Sequence, residues 1–411
     1  MLAKQLVILG GGTAGTMMAN RLVARLPERG WKIIVVDRDD VHVYQPGLLF
    51  LPFGSYRREE TMKSRRTLLD RRVELRRGEV DRVAPEENTV HLSGGVALRY
   101  DVLVVALGAD VLPEETTGLT GPGWRQTAFD FYTLDGATAL RDRLSTWEGG
   151  RLVVDVAEMP IKCPVAPLEF LFLADAFFTE RGLRDKVEIV YATPLEGAFT
   201  KPRASAVLGD MLERRGIRVV GDFAMSEVDG ARRTVKAYDG REIPYDLLVT
   251  VPVHGGAKAI RKSQMGDGSG WLPTDKHTLQ SKAHANVFAL GDATDLPSSK
   301  AGAVAHFQAE VLTENLLAYV HDKPMPERFD GHANCFIETG FGKAMLIDFN
   351  YETEPLQGRF PLPGLGPFTL LEESAVNHWG KLGFKWVYWN LLLAGKDLPL
   401  DHRMVMAGKW A

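Results

Sequence analysis

Cysteine is almost absent: two residues, Cys163 and Cys335, in a chain of 411. That excludes a disulfide-dense secreted scaffold. Neither cysteine belongs to a Cys-x-x-Cys pair, so a zinc ribbon and a dithiol motif are excluded too, and no metal site is expected. Long apolar runs are also missing. Lys385 and Gly395 bracket nine residues, one of them Asn390, against the roughly 20 that a membrane-crossing helix needs. No secretory apolar core precedes Leu6–Leu9, so the chain is expected to begin within its fold. A net charge of -4 and a pI near 6.2 give no basic field for nucleic acid. Arg65-Arg66 and Arg71-Arg72 read as solvated faces. Low-complexity tracts and solenoid repeats are not found. At 45% hydrophobic and 25% charged residues the chain is globular, long enough for two or three domains and a large core.

One glycine-rich fingerprint is present and a second is not. Gly10-Gly11-Gly12-Thr13-Ala14-Gly15 follows the apolar run Leu6-Val7-Ile8-Leu9. Gly10 permits a tight turn, Gly12 lets backbone approach a pyrophosphate, and Gly15 lets the next helix lie close to the strand. Met18, Leu22 and Leu26 recur at helical spacing after it, and Trp31 to Asp37 reads as a second parallel strand ending in a carboxylate suited to a ribose hydroxyl. Where a second dinucleotide repeat would start, Val153-Val154-Asp155-Val156 runs instead into Met159-Pro160-Ile161-Lys162-Cys163-Pro164. A cysteine stands where a phosphate loop would be. Lys162 beside it is expected to favour a thiolate, and Glu169 is a candidate proton acceptor.

Two further segments resemble signatures of two-dinucleotide flavoproteins. Tyr100 to Ala109, with Gly108 at its turn, resembles the strand closing the first nucleotide-binding half. Asn286 to Ala293 resembles the strand ending in Gly-Asp, here Gly291-Asp292, beside a flavin's ribityl and phosphate groups. Together they point to FAD. Lys300 opens an expected helix whose N-terminus would stabilise negative charge on reduced flavin; a plain exposed lysine is the equal alternative.

With these motifs, Glu169, Cys335-Phe336 and an aromatic C-terminal tail, the chain resembles the sulfide:quinone oxidoreductase family and its relative, the flavoprotein subunit of flavocytochrome c sulfide dehydrogenase. The resemblance implies an α/β fold of two Rossmann-like three-layer domains of the disulfide-reductase type, plus a C-terminal region with amphipathic membrane-binding helices. The corresponding boundaries are 1–112 and 286–322 for the FAD domain, 113–285 for the second domain and 323–411 for the C-terminal region. It also implies that Cys163 and Cys335 form a redox pair bridged by a disulfide or short polysulfide, with Glu169 as base. Phe336, with Phe368 as partner, would line a quinone site, and electrons would pass from sulfide through FAD to the quinone. No cysteine follows Asp37 in His42-Val43-Tyr44-Gln45-Pro46, so FAD is expected without a thioether bond there. The family's histidines near the sulfide path have no match around Pro194 to Lys201.

From Asn377 to Ala394 a helix would place Trp379, Leu382, Trp386, Trp389 and Leu393 on one stripe and His378, Lys381 and Lys385 on another. That pattern suits a helix at the headgroup level of a bilayer surface, with a buried packing helix or dimer contact as the lesser alternative. The first choice implies a membrane-associated protein, on a prokaryotic cytoplasmic membrane, released with FAD retained when residues after about Asn377 are removed. Monomer and homo-oligomer are both compatible with the sequence. Two other kinds of function share much of this pattern: a quinone-linked NADH dehydrogenase, which needs the missing glycine loop, and a non-catalytic membrane-bound flavin and thiol redox sensor or sulfur-binding protein.

Overall fold

A computed structural model describes residues 3–398 and 400–410. Its first sheet is five parallel strands in the order Val287–Ala289, Val102–Val105, Lys4–Leu9, Trp31–Asp37, Glu74–Arg77. Leu6 to Leu9 are fully buried, because a parallel strand in mid-sheet is covered on both faces and so reads as an unbroken apolar run. The glycine turn follows at once, and helix Thr13–Val23 returns over the sheet. A Cβ on Gly10, whose φ is +92°, would lie 2.4 Å from the Ala106 carbonyl oxygen, and one on Gly15 would lie 1.8 Å from the Gly10 oxygen. These two glycines make the crossing possible. Gly12 has nothing within 4 Å of its absent Cβ.

A second parallel sheet runs Ala128–Phe129, Leu247–Val251, Gly150–Val156, Val187–Ala192, Ile217–Val220. The antiparallel pair Ala109–Leu112 and Val253–Gly256 lies where the chain leaves and re-enters the first unit. Helix Ala166–Glu180 covers the second sheet and is apolar nearly all round, with Phe170, Phe172 and Phe178 fully buried. Such a helix must be enclosed; its other side lies against strand Ala333–Gly340.

The C-terminal region departs from the expected set of helices. Its frame is a mostly antiparallel sheet built from Ala333–Gly340, Lys343–Phe349, Gln357–Leu362, Gly366–Leu370 and Lys409–Trp410. One helix, Ala375–Val387, lies on that sheet and continues into a π-helical turn, Tyr388–Leu392. Among the described residues no helix is long and apolar enough to cross a membrane.

Candidate active site

The glycine turn has the character of an anion cradle. Helix Thr13–Val23 has Gly12 at its N-cap, no side-chain cap and no acidic residue in its first turn, so its leading N–H groups are free for a phosphate. Asp37 ends its strand beside the turn, and its Oδ2 accepts from Gly11 N at 2.7 Å. Gly108, at φ +73°, has nothing within 4 Å of its absent Cβ. Gly291 N donates to Gln308 Oε1 at 2.6 Å. Asp292, its carboxyl pushed up by burial and held back by Lys162 and Lys300, marks the far end of the cradle. These residues fit a dinucleotide with a ribityl chain.

Arg65 corrects the expectation of a solvated arginine pair. Its side chain is buried, its Nε donates to Gly11 O at 2.8 Å, and its guanidinium lies 3.3 Å from Asp37 Oδ2. His42 is a second residue of the cradle that sequence reasoning missed. Burial, then the charge of Arg65, push it down to about 4, so the ring is neutral. Its Nδ1 faces the Gly11 carbonyl oxygen at 3.3 Å and must carry the proton, because a carbonyl only accepts. Nε2 therefore accepts from the Tyr388 hydroxyl at 2.7 Å, and that oxygen accepts in turn from Thr13 Oγ1 at 2.7 Å. The root of the C-terminal helix is thereby hydrogen-bonded to the glycine turn.

Lys300 is neither exposed nor the start of the helix. Helix Gly302–Val320 begins after it, while its buried ammonium donates to Thr294 O at 2.7 Å and sits 3.9 Å from the Trp271 ring centre. Burial pulls it down to about 8. Main-chain pairing of Lys162 with Lys300 brings the cysteine loop against this same region.

Cys163 is fixed on both sides of its peptide. Its N–H donates to Lys300 O at 2.6 Å, and its carbonyl oxygen accepts from Tyr132 Oη at 3.2 Å and Ala166 N at 2.9 Å. Its φ of +46° is in the left-handed region, uncommon for a residue with a Cβ. Cys335 lies on strand Ala333–Gly340 opposite Ile347. Both thiols are free and packed against the apolar core. Burial pushes Cys163 far above the usual thiol range, and Cys335 up to about 12. Glu169 raises both further, Lys381 opposes this at both, and Cys335 itself raises Cys163, so the two sulfurs and this pair share one field.

That pair is the electrostatic centre of the site. Glu169 Oε1 accepts from Lys381 Nζ at 2.6 Å and from Glu338 N at 2.7 Å, while Oε2 is buried without a partner. Burial holds the Glu169 carboxyl above its ordinary range against the pull of Lys381. Burial also acts to lower Lys381, but Glu169, followed by Cys163, more than reverses it. The lysine expected beside the sulfur was Lys162. Its ammonium is buried, pulled down by desolvation, and faces Asp292, Asp110 and Asp130 instead. Lys381, from a remote helix, takes that place.

Next along the strand, Phe336 meets Phe368 edge to face, centroids 5.2 Å apart and planes at 79°. Gly380 lies directly over them, and Lys381 Nζ also donates to Phe336 O at 3.0 Å. Glu338 Oε1 pairs with His378 Nδ1 at 2.7 Å. The C-terminal helix is thus turned with its charged stripe inward. Trp379 and Trp386 are 68% and 61% exposed, but Trp389 and Leu393, expected on the same stripe, are buried. Trp389 packs on His42 and Tyr44.

His254 was also missed. It stacks edge-on against Tyr132 at 5.2 Å, the tyrosine that holds the Cys163 carbonyl. Burial, then Lys162, push it down to about 3, and its Nε2 is buried without a partner. No spacing in the sequence ties it to Cys163.

A family model described as pyridine nucleotide-disulphide oxidoreductase matches residues 4–309. The chain belongs to this family. Within the pyridine nucleotide-disulphide oxidoreductases it is similar to the mitochondrial sulfide:quinone oxidoreductase of Mus musculus, 25% identical over 404 residues that cover 95% of this chain and 86% of the relative. The mitochondrial sulfide:quinone oxidoreductase of Dictyostelium discoideum is 27% identical over 398 residues, covering 95% and 86%. The crystal structure of sulfide:quinone oxidoreductase from Aquifex aeolicus superposes with a TM-score of 0.78 at 18% identity, covering 94% of this chain and 92% of that one.

Proposed function

We propose that this protein oxidises sulfide at Cys163 and Cys335 and passes the electrons through FAD to a quinone at a membrane surface. One observation carries the reading: the Glu169–Lys381 ion pair, closed at 2.6 Å, bonds through Lys381 the backbone of Phe336, which is both the residue after Cys335 and a member of the aromatic pair. The named relatives, sulfide:quinone oxidoreductases along most of their length, support it.

FAD would be held by Gly10, Gly12, Gly15, Asp37, Gly108, Gly291, Asp292 and Lys300, and would supply two-electron transfer chemistry when bound. The chain's own residues handle sulfur and protons. The two thiols, free here, would enter the cycle as a bridge formed when two electrons and two protons leave them for the acceptor; hydrosulfide then attacks one sulfur of that bridge, leaving a persulfide on one cysteine and a thiolate on the other. A thiolate in so dry a site is costly, and the Lys381 ammonium lowers that cost at either sulfur. Glu169, with its unpartnered Oε2, is positioned to take the hydrosulfide proton. Phe336 and Phe368, roofed by Gly380, offer a flat apolar surface for a quinone ring, and the exposed Trp379 and Trp386 set that entrance at the headgroup level of a bilayer.

A nicotinamide donor finds no cradle in the second unit. The segment from Ala157 to Val165 contains no glycine, and the helix after it is capped by the buried, apolar Val165. The test is anaerobic bleaching of the flavin by sulfide and by NADH, followed by reoxidation with a soluble quinone analogue. Sulfide is expected to bleach and the quinone to restore. Cys163→Ser and Cys335→Ser should each abolish the bleaching with FAD still bound. Bleaching by NADH and not by sulfide would end the proposal.

A further inference from the structure

We infer that Glu338 and His378 form the proton conduit between the buried Glu169 carboxylate, paired with the part-exposed Lys381, and the outside of the C-terminal helix, serving reduction of the acceptor at Phe336–Phe368. The inference rests on the function proposed above and adds a role for two residues that it leaves idle.

The stoichiometry requires a conduit. Hydrosulfide gives up two electrons and its one proton as its sulfur becomes sulfane sulfur. The quinone takes two electrons and two protons on its two oxygens. One proton per turnover must therefore enter from water, into a region where Glu169 and Glu338 are each 1% exposed.

Among the described residues the titratable side chains of His378, Glu338, Glu169 and Lys381 lie together, with the Glu338 carboxyl in the field of the Glu169–Lys381 pair and joined to it through its own backbone amide. Phe336 and Glu338 are two residues apart on one strand and so face the same way, toward the C-terminal helix. Glu338 N is bonded to Glu169 Oε1, and Lys381 Nζ bonds that same oxygen and the Phe336 carbonyl. Glu338 Oε1 meets His378 Nδ1 at 2.7 Å, while its Oε2 is buried and unpartnered, free to carry a proton. His378 keeps 20% of its side chain in solvent, one residue before the exposed Trp379. An imidazole can accept at one nitrogen and release at the other.

The charged groups around Glu338 suit exchange near neutrality. His378 and Lys381 face it from the C-terminal helix, and Glu169 from helix Ala166–Glu180. Tyr56 feels both Glu338 and Lys381. Arg215 lies next door on the Thr339 carbonyl oxygen and on Glu373. Burial raises Glu338 to about 7 against the opposing pull of His378.

The test uses the full-length flavoprotein with His378→Gln and Glu338→Gln. The flavin is reduced by sulfide, or by dithionite, which tests the conduit even if sulfide proves not to be the donor. It is then reoxidised in stopped flow by decylubiquinone, which needs protons, or by ferricyanide, which takes electrons only. Both variants are expected to reoxidise with decylubiquinone about tenfold or more slowly. Ferricyanide rates should be unchanged, and added imidazole should restore part of the loss in His378→Gln. Unchanged decylubiquinone rates, or equal slowing with both acceptors, would overturn the conduit. Failure of sulfide to bleach the unsubstituted protein would instead remove the proposed function.

Discussion

Two glycines on the C-terminal helix allow the aromatic floor to be tested with an internal control. Gly380 and Gly383 both lie within Ala375–Val387. Helix propensity alone predicts that Ala at either position stabilises by about 1 kcal/mol. The surroundings differ. A Cβ at Gly383 has nothing within 4 Å, whereas one at Gly380 would lie 2.5 Å from Phe368 Cε1 and 2.8 Å from Phe336 Cζ. Those rings brace each other edge to face, so relief requires moving the pair or lifting the helix, at about 1–3 kcal/mol for such overpacking. Gly383→Ala should therefore gain about 1 kcal/mol, while Gly380→Ala breaks even or loses up to about 2 kcal/mol. The difference between them, about 1–3 kcal/mol, measures the clash with propensity cancelled. Urea unfolding midpoints of the two variants give it directly. The KM for a quinone analogue should rise in Gly380→Ala alone, with sulfide bleaching unaltered in both. Equal midpoints and equal KM values would show that the helix does not rest on this ring pair.

Three other outcomes are expected. Lys381→Met removes the cation that lowers both thiols, so their pKa values rise further and the pH profile of sulfide-driven bleaching moves to the alkaline side; an unshifted profile would remove Lys381 from the sulfur chemistry. Trp379→Ser with Trp386→Ser should end co-sedimentation with quinone-containing vesicles while bleaching by sulfide in solution persists; sedimentation at the original level would place the membrane contact elsewhere. His42, held by burial at about 4 instead of its ordinary 6.5, contributes stability that is complete above pH 6.5 and lost as pH falls through 4. The loss is on the order of 3 kcal/mol, and urea midpoints of His42→Gln should be correspondingly flatter over that window.

Legibility in the sequence followed the range of the physics. The glycine turn, the strands from Leu6 and Trp31, and the strand ahead of the cysteine loop are local patterns, and the structure has them where period and turn chemistry put them. The C-terminal stripe was legible as amphipathic but not in its sense. A helix with aromatics on one face and lysines on the other reads the same whichever side is covered, and only Glu169 and Glu338, contributed by other elements, decide that the lysine side faces in. Lys162 looked like the partner of Cys163 because it is adjacent in sequence. Adjacent residues in a bent loop point apart, and Lys381 arrives through a contact spanning more than two hundred residues. Arg65, His42 and His254 carried no signal, since their meaning depends on a backbone oxygen or ring brought by the fold.

The hydrogen-bond chain from His42 through Tyr388 to Thr13 means that the C-terminal helix is not a detachable module. Tyr388, Trp389, Leu392 and Leu393 are core residues, and Asn20 Nδ2 donates to Leu393 O at 2.6 Å. Truncation after about Asn377 would therefore strip the glycine turn of its support as well as removing Trp379 and Trp386, so that flavin and any bilayer contact made by those tryptophans would be lost together. Separating the two calls for surface substitutions rather than deletion. Any shift of this helix is therefore passed, through Tyr388, to the glycine turn.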